Sequence, residues 1–328
     1  MIRVTTWCRA DLAGGTLDIW PIGLLHPGAR TVNFALDLPV EVRFRPRSAG
    51  FLVVQGEATL EAATDCDLRA HPETALLGEI VRATGLTSGE IRIRSASPRG
   101  AGLGASSALT VALLAAVELA RGGTLERSAG ARAALARDLE ARLMKLPTGM
   151  QDHFPGQLGG ALEIVHDPGD ERVRQLDVDL DALGDRLLVA YSGQSHFSAG
   201  ANWAIIRGRL DGDSDLALRL DRIRDVASAM PAALCAGRWD EVGRLVSEEW
   251  SARRELSPAI STPLLEQLLC RGTELGGWGG KAGGAGGGGS VFLLAPPEAH
   301  PAILEAWRAL GAEPLPTRPT RRGLEFEI

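Results

Sequence analysis

At 328 residues, with a formal net charge of -6, 45% hydrophobic residues and a mean hydropathy of +0.02, the chain can bury one large core or two ordinary ones. No block of clustered Lys and Arg is present, which excludes a general role on nucleic acid, whose phosphate backbone is held chiefly by such clusters. Cys8, Cys66, Cys235 and Cys270 show no metal or redox spacing, the start MIRVTTWCRADLAGG has no apolar signal core, and the longest apolar run, 108–120, is short for a bilayer; a cytoplasmic protein with neither secretion signal nor membrane anchor is expected.

In chain order, hydrophobic periodicity predicts strands over 2–8, 40–44, 51–55 and 91–95, and helices over 73–84, 107–121 and 131–144. In the last of these helices Arg132, Arg137 and Arg142 interleave with Asp138 and Glu140, the pattern of a solvated face. A strand over 186–191 opens a second region, largely helical over 199–273, which ends in a glycine loop and a strand over 290–295. The Asp- and Gly-rich segment 167–185 marks the boundary, so the expected domains are 1–180 and 181–328. There is no internal repeat.

The run GEIRIRSASPRGAGLGASSALTVALLAAVELA reads as strand, glycine turn and helix, an order that aims unpaired helix N–H groups across the turn and makes an anion site. Gly100, Gly102 and Gly104 let backbone approach phosphate oxygens, while Ser106 and Ser107 either cap the helix or offer a hydroxyl to a metal ion. A tight turn followed by a serine cap accounts for the same residues without any ligand. Gly100, Gly102 and Ala105 also fit a dinucleotide fingerprint, but the turn comes late in the chain and the acid expected about twenty residues on falls in the continuing helix near Glu118. A Walker A loop is excluded because no Gly-Lys-Ser/Thr follows.

The second glycine run, GGWGGKAGGAGGGG over 276–289, has the composition of a linker, yet the apolar SVFLLA that follows reads as a buried strand inside a domain. Its glycines then serve close packing against the first loop or its ligand, with Lys281 as an available charge. The histidines at 26, 71, 153, 166, 196 and 300 are dispersed, with no metal-binding helix among them.

Three motifs in this order, RADLAGGTLD (9–18), PRGAGLGASSA (98–108) and KAGGAGGGG (281–289), resemble those of the GHMP kinase superfamily, in which galactokinase, homoserine kinase, mevalonate kinase and phosphomevalonate kinase are grouped. The segment LEARLMKLPTGMQDHFPGQLGG (139–160) is similar to the family's catalytic-aspartate region, through a Gly-x-x-Asp ending at Asp152, with Glu140 at the spacing of a magnesium glutamate. The resemblance implies an α+β, two-lobed kinase fold, with an N-terminal lobe like the second domain of ribosomal protein S5 and a ferredoxin-like C-terminal lobe. It also implies ATP and Mg2+: Pro98, Gly100, Ala101, Gly102, Leu103, Gly104, Ala105, Ser106 and Ser107 around the phosphates, Ser106 and Glu140 on the metal, and Asp152 and Arg9 as catalytic residues.

The same resemblance places Gly15, Thr16, Asp18 and Gly284 at the acceptor. Galactokinase carries Glu-His where this chain has Gly15 and Thr16, which argues against galactose. The run Ala13-Gly14-Gly15 is closer to the Ala-Gly-Gly-Gly-Thr-Asp signature of bacterial heptose 7-phosphate kinases and fucose kinases, although Thr16 and Leu17 stand where that signature has Gly and Thr, and Ala105 replaces a common serine. The expected reaction is ATP-dependent phosphorylation of a sugar or sugar phosphate, with D-glycero-D-manno-heptose 7-phosphate as the named candidate. The alternatives are an isoprenoid or homoserine-type kinase, or a catalytically silent binder of sugar or nucleotide. YSGQSHFSAGANW (191–203) resembles the segment that opens the second lobe in these sugar kinases, and equally reads as a helix start capped by Ser195 or Ser198; His196 and His153 are either sugar ligands or structural.

Overall fold

The computed structural model describes residues 1–195 and 199–328, with the side chains of 170 and 199–201 also outside the description. His196 and Ser198 therefore lie outside the described residues.

Strands β1 (Ile2–Ala13), β2 (Arg30–Arg45), β3 (Gly50–Gln55), β4 (Ala58–Ala62), β5 (Ser88–Ser95), β6 (Ala161–Asp167), β7 (Asp170–Leu176) and β12 (Glu325–Glu327) form one eight-stranded sheet. Its main path runs β12-β1-β2-β5-β3-β4. Strand β2 is long enough to serve two neighbours: Arg30 to Phe34 pair with β6, and Val40 to Arg45 pair with β5. A second, four-stranded sheet has the order β11-β8-β10-β9, built from β8 (Leu187–Tyr191), β9 (Gly279–Ala282), β10 (Ser290–Leu294) and β11 (Glu313–Pro314). The fold is α+β with two lobes, and the last strand returns to pair with β1.

The longer helices are α1 (Ala75–Thr84), α2 (Ala105–Gly122), α3 (Ala129–Met144), α4 (Ala199–Leu210), α5 (Ser214–Cys235), α6 (Trp239–Arg253), α7 (Pro263–Glu274) and α8 (His300–Ala309). Alternation along β1, β2 and β5 sends Ile2, Val4, Val42, Phe44, Ile91 and Ile93 to one face, where they pack on α1, α2 and α3. A continuous core joins the lobes, bringing Phe34 and Leu36 of β2 together with Val226 and Met230 of α5 and Val246 of α6.

Two expectations change, those for Arg132 and for the apolar helix α2. Arg132 is buried, not solvated: its guanidinium meets the buried Glu118 carboxylate at 2.8 Å and donates to Gln157 Oε1 at 2.9 Å, pinning α3 to α2. The Asp- and Gly-rich segment 167–185 holds the turn of the β6–β7 hairpin, in which Asp167 is opposite Asp170, and then a short helix, Leu180–Gly184, capped by Asp179. The second glycine run lies inside the second lobe, where β9 falls within it and pairs with β10. Finally, α2 is long and apolar enough by length and composition to cross a membrane, more so than the run 108–120 indicates, but 67% of it is buried inside the protein.

Candidate active site

Two backbone irregularities build the site. Strand β1 breaks register with β2 between Trp7 and Arg9 and again between Asp11 and Ala13, and such bulges re-aim the side chains they flank. Arg9 and Asp11 both become buried. At the first glycine turn, Gly100, Gly102 and Gly104 have φ of +67°, +72° and +72°, a region that residues with a Cβ rarely adopt. Gly104 is the N-cap of α2 and no side chain caps the helix, so Ser106 and Ser107 do not consume the first-turn N–H groups. Those groups and the helix dipole leave the turn suited to an anion.

The second glycine run closes over the first. A Cβ on Gly102 would lie 2.6 Å from the Gly283 carbonyl oxygen, and one on Gly289 would lie 2.8 Å from that of Ala101. The Ser290 N–H donates to Ala101 O at 2.8 Å, so the two loops are joined by backbone alone. Lys281 is not on the cavity wall: it is buried on β9, 2.5 Å from Glu249, and burial pushes its amine down to about 8.

A cavity of about 490 Å³ is lined by Arg9, Thr16, Asp18, residues 98–107, Glu140, Asp152 and Gly284, so nearly every site residue expected from the sequence meets there. Gly15 does not line it. A Cβ at Gly15 would lie 2.5 Å from Nη2 of Arg253, so this glycine makes room for that guanidinium.

Arg9 grips Asp152 at two points, Nε to Oδ1 at 2.8 Å and Nη2 to Oδ2 at 2.6 Å, and its Nη1 donates to Gly102 O at 2.6 Å. Burial works to raise the Asp152 pKa, but the Arg9 guanidinium outweighs it and holds the carboxyl below its ordinary range. Asp11 approaches the same Arg9 Nε, at 3.1 Å, and burial pushes its carboxyl upward against the pull of that charge. Asp18 is pushed up to about 7, by burial first and by Asp152 second.

The turn carrying Asp152 is held from behind. Asn33 Nδ2 donates to Gln151 O at 3.2 Å, Thr31 Oγ1 to Gln151 Oε1 at 2.7 Å, and Gln151 N to Asp18 Oδ2 at 3.1 Å. Gly149 explains the glycine of the Gly-x-x-Asp motif: a Cβ there would overlap the Asp18 carboxylate. Glu140 is buried on α3 and accepts from Thr110 Oγ1 at 2.6 Å and Ser107 Oγ at 3.4 Å. His153 is buried behind it and off the cavity wall, with Nε2 at 3.2 Å from Glu140; burial opposes its protonation, yet the carboxylate holds its pKa above the ordinary imidazole value.

Glu140 and the exposed Ser106 offer two oxygen donors to the cavity, and no group of three or more His, Cys, Asp or Glu suited to a metal occurs among the described residues. That set fits magnesium, which takes few protein oxygens and completes its shell with phosphate and water. Asp11, Asn33, Gln151 and Arg253 were not singled out from the sequence. Asp11 lies inside the first motif two residues after Arg9, which was a usable signal, whereas Arg253 sits in an ordinary amphipathic helix and carried none.

The family model described as GHMP kinases N terminal domain matches residues 73–160, and that described as GHMP kinases C terminal matches 230–313, together more than half of the chain. The chain is 30% identical over 284 residues to the bifunctional fucokinase/GDP-fucose pyrophosphorylase of Arabidopsis thaliana, covering 79% of this chain and 26% of that one. It is 25% identical over 299 residues to the L-fucokinase/L-fucose-1-P guanylyltransferase of Bacteroides fragilis, covering 80% and 31%. The chain thus spans about a quarter to a third of the length of these curated relatives. Its fold matches the crystal structure of a D-glycero-D-manno-heptose 1-phosphate kinase from Bacteroides thetaiotaomicron with a TM-score of 0.79, at 18% identity, over 100% of this chain and 99% of that one. With both family domains matched in order around one cavity, the chain belongs to the GHMP kinase family.

Proposed function

We propose that this protein is an ATP-dependent sugar kinase that transfers the γ-phosphoryl group to a hydroxyl of a sugar or sugar phosphate, with D-glycero-D-manno-heptose 7-phosphate as the named candidate acceptor. The observation that carries the reading is Asp152, held ionised by Arg9 in a cavity walled on one side by the first glycine loop and on the other by Asp18. The fucokinase names of the curated relatives and the heptose 1-phosphate kinase title of the structural neighbour support the sugar class.

In this reading the loop 98–107 and the first turn of α2 bind the phosphates through backbone N–H groups. Ser106 and Glu140 would hold Mg2+, which would supply charge to offset that of the phosphoryl oxygens. Asp18 and Thr16 orient the acceptor. Asp152 accepts the acceptor's hydroxyl proton as that oxygen bonds to phosphorus and the bond to the departing diphosphate breaks. A carboxylate of low pKa suffices because a loose transition state leaves the proton on the attacking oxygen until late. Arg9 keeps Asp152 in place and offsets negative charge beside the transferring group.

The test is ADP release across free hexoses including L-fucose, heptose 7-phosphate, homoserine and mevalonate. Turnover with a sugar or sugar phosphate is expected. Turnover restricted to homoserine or mevalonate, or tight ATP binding with no turnover across the panel, would reject the sugar-kinase assignment.

A further inference from the structure

We propose that Arg253 is a specificity-determining residue of the acceptor subsite, which with Thr16 presents one polar edge to an uncharged, hydroxyl-bearing part of the sugar. The inference rests on the kinase reading above and names what one end of that cavity recognises.

Thr16 has φ of +73°, a left-handed backbone that is a genuine outlier for a β-branched residue. What holds it is Arg253, whose Nη1 donates to Thr16 Oγ1 at 3.0 Å. Both residues line the cavity that Asp18 and Asp152 line. The strain is therefore located where an acceptor would sit, and it turns a threonine hydroxyl to that purpose.

Arg253 is itself fixed. It is 2% exposed, and its Nε and Nη2 both donate to Glu249 Oε1, at 2.8 and 2.6 Å. The other Glu249 oxygen meets Lys281 Nζ at 2.5 Å, so the third motif supports the guanidinium through one shared carboxylate. Gly15 leaves it space. A pre-set fork of this kind loses little freedom when it binds.

Charge decides the ligand class. Arg253 and Lys281 share the one carboxylate of Glu249, and Arg9 faces Asp11 and Asp152. Asp18 adds a further carboxyl to the wall. A phosphate dianion at this edge would meet the ionised Asp152 and the Asp18 carboxyl on the same wall, whereas a sugar hydroxyl can accept from Arg253 Nη1 or Thr16 Oγ1 and donate to Asp18. A phosphorylated acceptor must hold its phosphate away from this edge.

The test compares acceptor KM, ATP KM and kcat for the wild type, Thr16→Gly, Thr16→Ser and Arg253→Lys, with L-fucose, D-galactose and heptose 7-phosphate as acceptors. Glycine relieves the backbone strain, so Thr16→Gly folds even where an Arg253 variant does not. Thr16→Gly and Arg253→Lys should raise acceptor KM about tenfold or more with ATP KM unchanged, while Thr16→Ser stays near wild type. Millimolar inorganic phosphate should not compete with the acceptor. Unchanged acceptor KM in both variants, or a parallel rise in ATP KM, would overturn the role; competition by phosphate would overturn the uncharged edge. No sugar turnover by the wild type itself would overturn the kinase reading and this inference together.

Discussion

Arg9 and Asp152 lie 143 residues apart and meet in a two-point ion pair of 2.8 and 2.6 Å, while the third guanidinium nitrogen of Arg9 donates to Gly102 O. One side chain thus ties the carboxylate to the glycine loop. The geometry needs the planar arginine fork, because a lysine is a single point charge and cannot address both oxygens and the carbonyl at once. It also fixes the protonation state: Asp152 stays ionised across the neutral range and is aimed by the same group that keeps it so.

Gly149→Ala would push the Asp18 carboxylate off the Gln151 N–H that it now accepts at 3.1 Å. We predict an acceptor KM raised about tenfold, in keeping with loss of a positioning contact, with nucleotide affinity unchanged. Steady-state kinetics with each substrate varied in turn checks this.

Gly102→Val meets two obstacles, a φ of +72° and the Gly283 carbonyl 2.6 Å from the new Cβ. The first alone costs about 1 kcal/mol or more, and the second separates the two glycine loops. Calorimetric titration with ATP should find no binding, and thermal melting should show a lowered Tm. Wild-type affinity would mean that the loop does not hold the nucleotide.

Asp18 gives stability a pH dependence of definite sign. Its pKa is raised from 3.8 to about 7 in the folded chain, so the native state binds the proton more tightly than the unfolded one. Stability therefore falls as pH rises from about 4 to about 7 and levels off above that, by an amount on the order of a few kcal/mol. Asp18→Asn should remove this part of the slope. Urea melts at pH 5 and pH 8 of the two proteins, without ligands, measure it.

Glu140→Gln removes the carboxylate that accepts from Ser107 Oγ and lines the cavity with Ser106. The Mg2+ concentration giving half-maximal turnover should rise about tenfold or more, as loss of a charged ligand predicts. A Mg2+ titration of ADP release at saturating substrate reads this directly. An unchanged requirement would remove Glu140 from the metal.

The parts of the site carried by local pattern were legible in the sequence. Strand, glycine turn and helix around residue 100 follow from periodicity, and the structure begins α2 at Ala105. The chemistry was not local. Arg253 reaches Thr16 across 237 positions, and nothing in the helix Trp239–Arg253 distinguishes it from a surface arginine. Lys281 looked like a free charge on a glycine loop because its partner Glu249 is on another element. Arg132 misled for the same reason: periodicity reports the polar residues of a helix, but not that a buried Glu118 waits opposite one of them.

The central claim is that Asp152 takes part in phosphoryl transfer at a site that binds ATP independently of it. The most direct measurement is ADP release by Asp152→Asn with the sugar the wild type accepts, beside ATP affinity and Tm for the same protein. Turnover should fall by about 10²–10⁴-fold, the usual worth of a general base, with ATP affinity within a few-fold of wild type and the fold retained. Near wild-type turnover in a folded, ATP-binding Asp152→Asn protein would contradict the account.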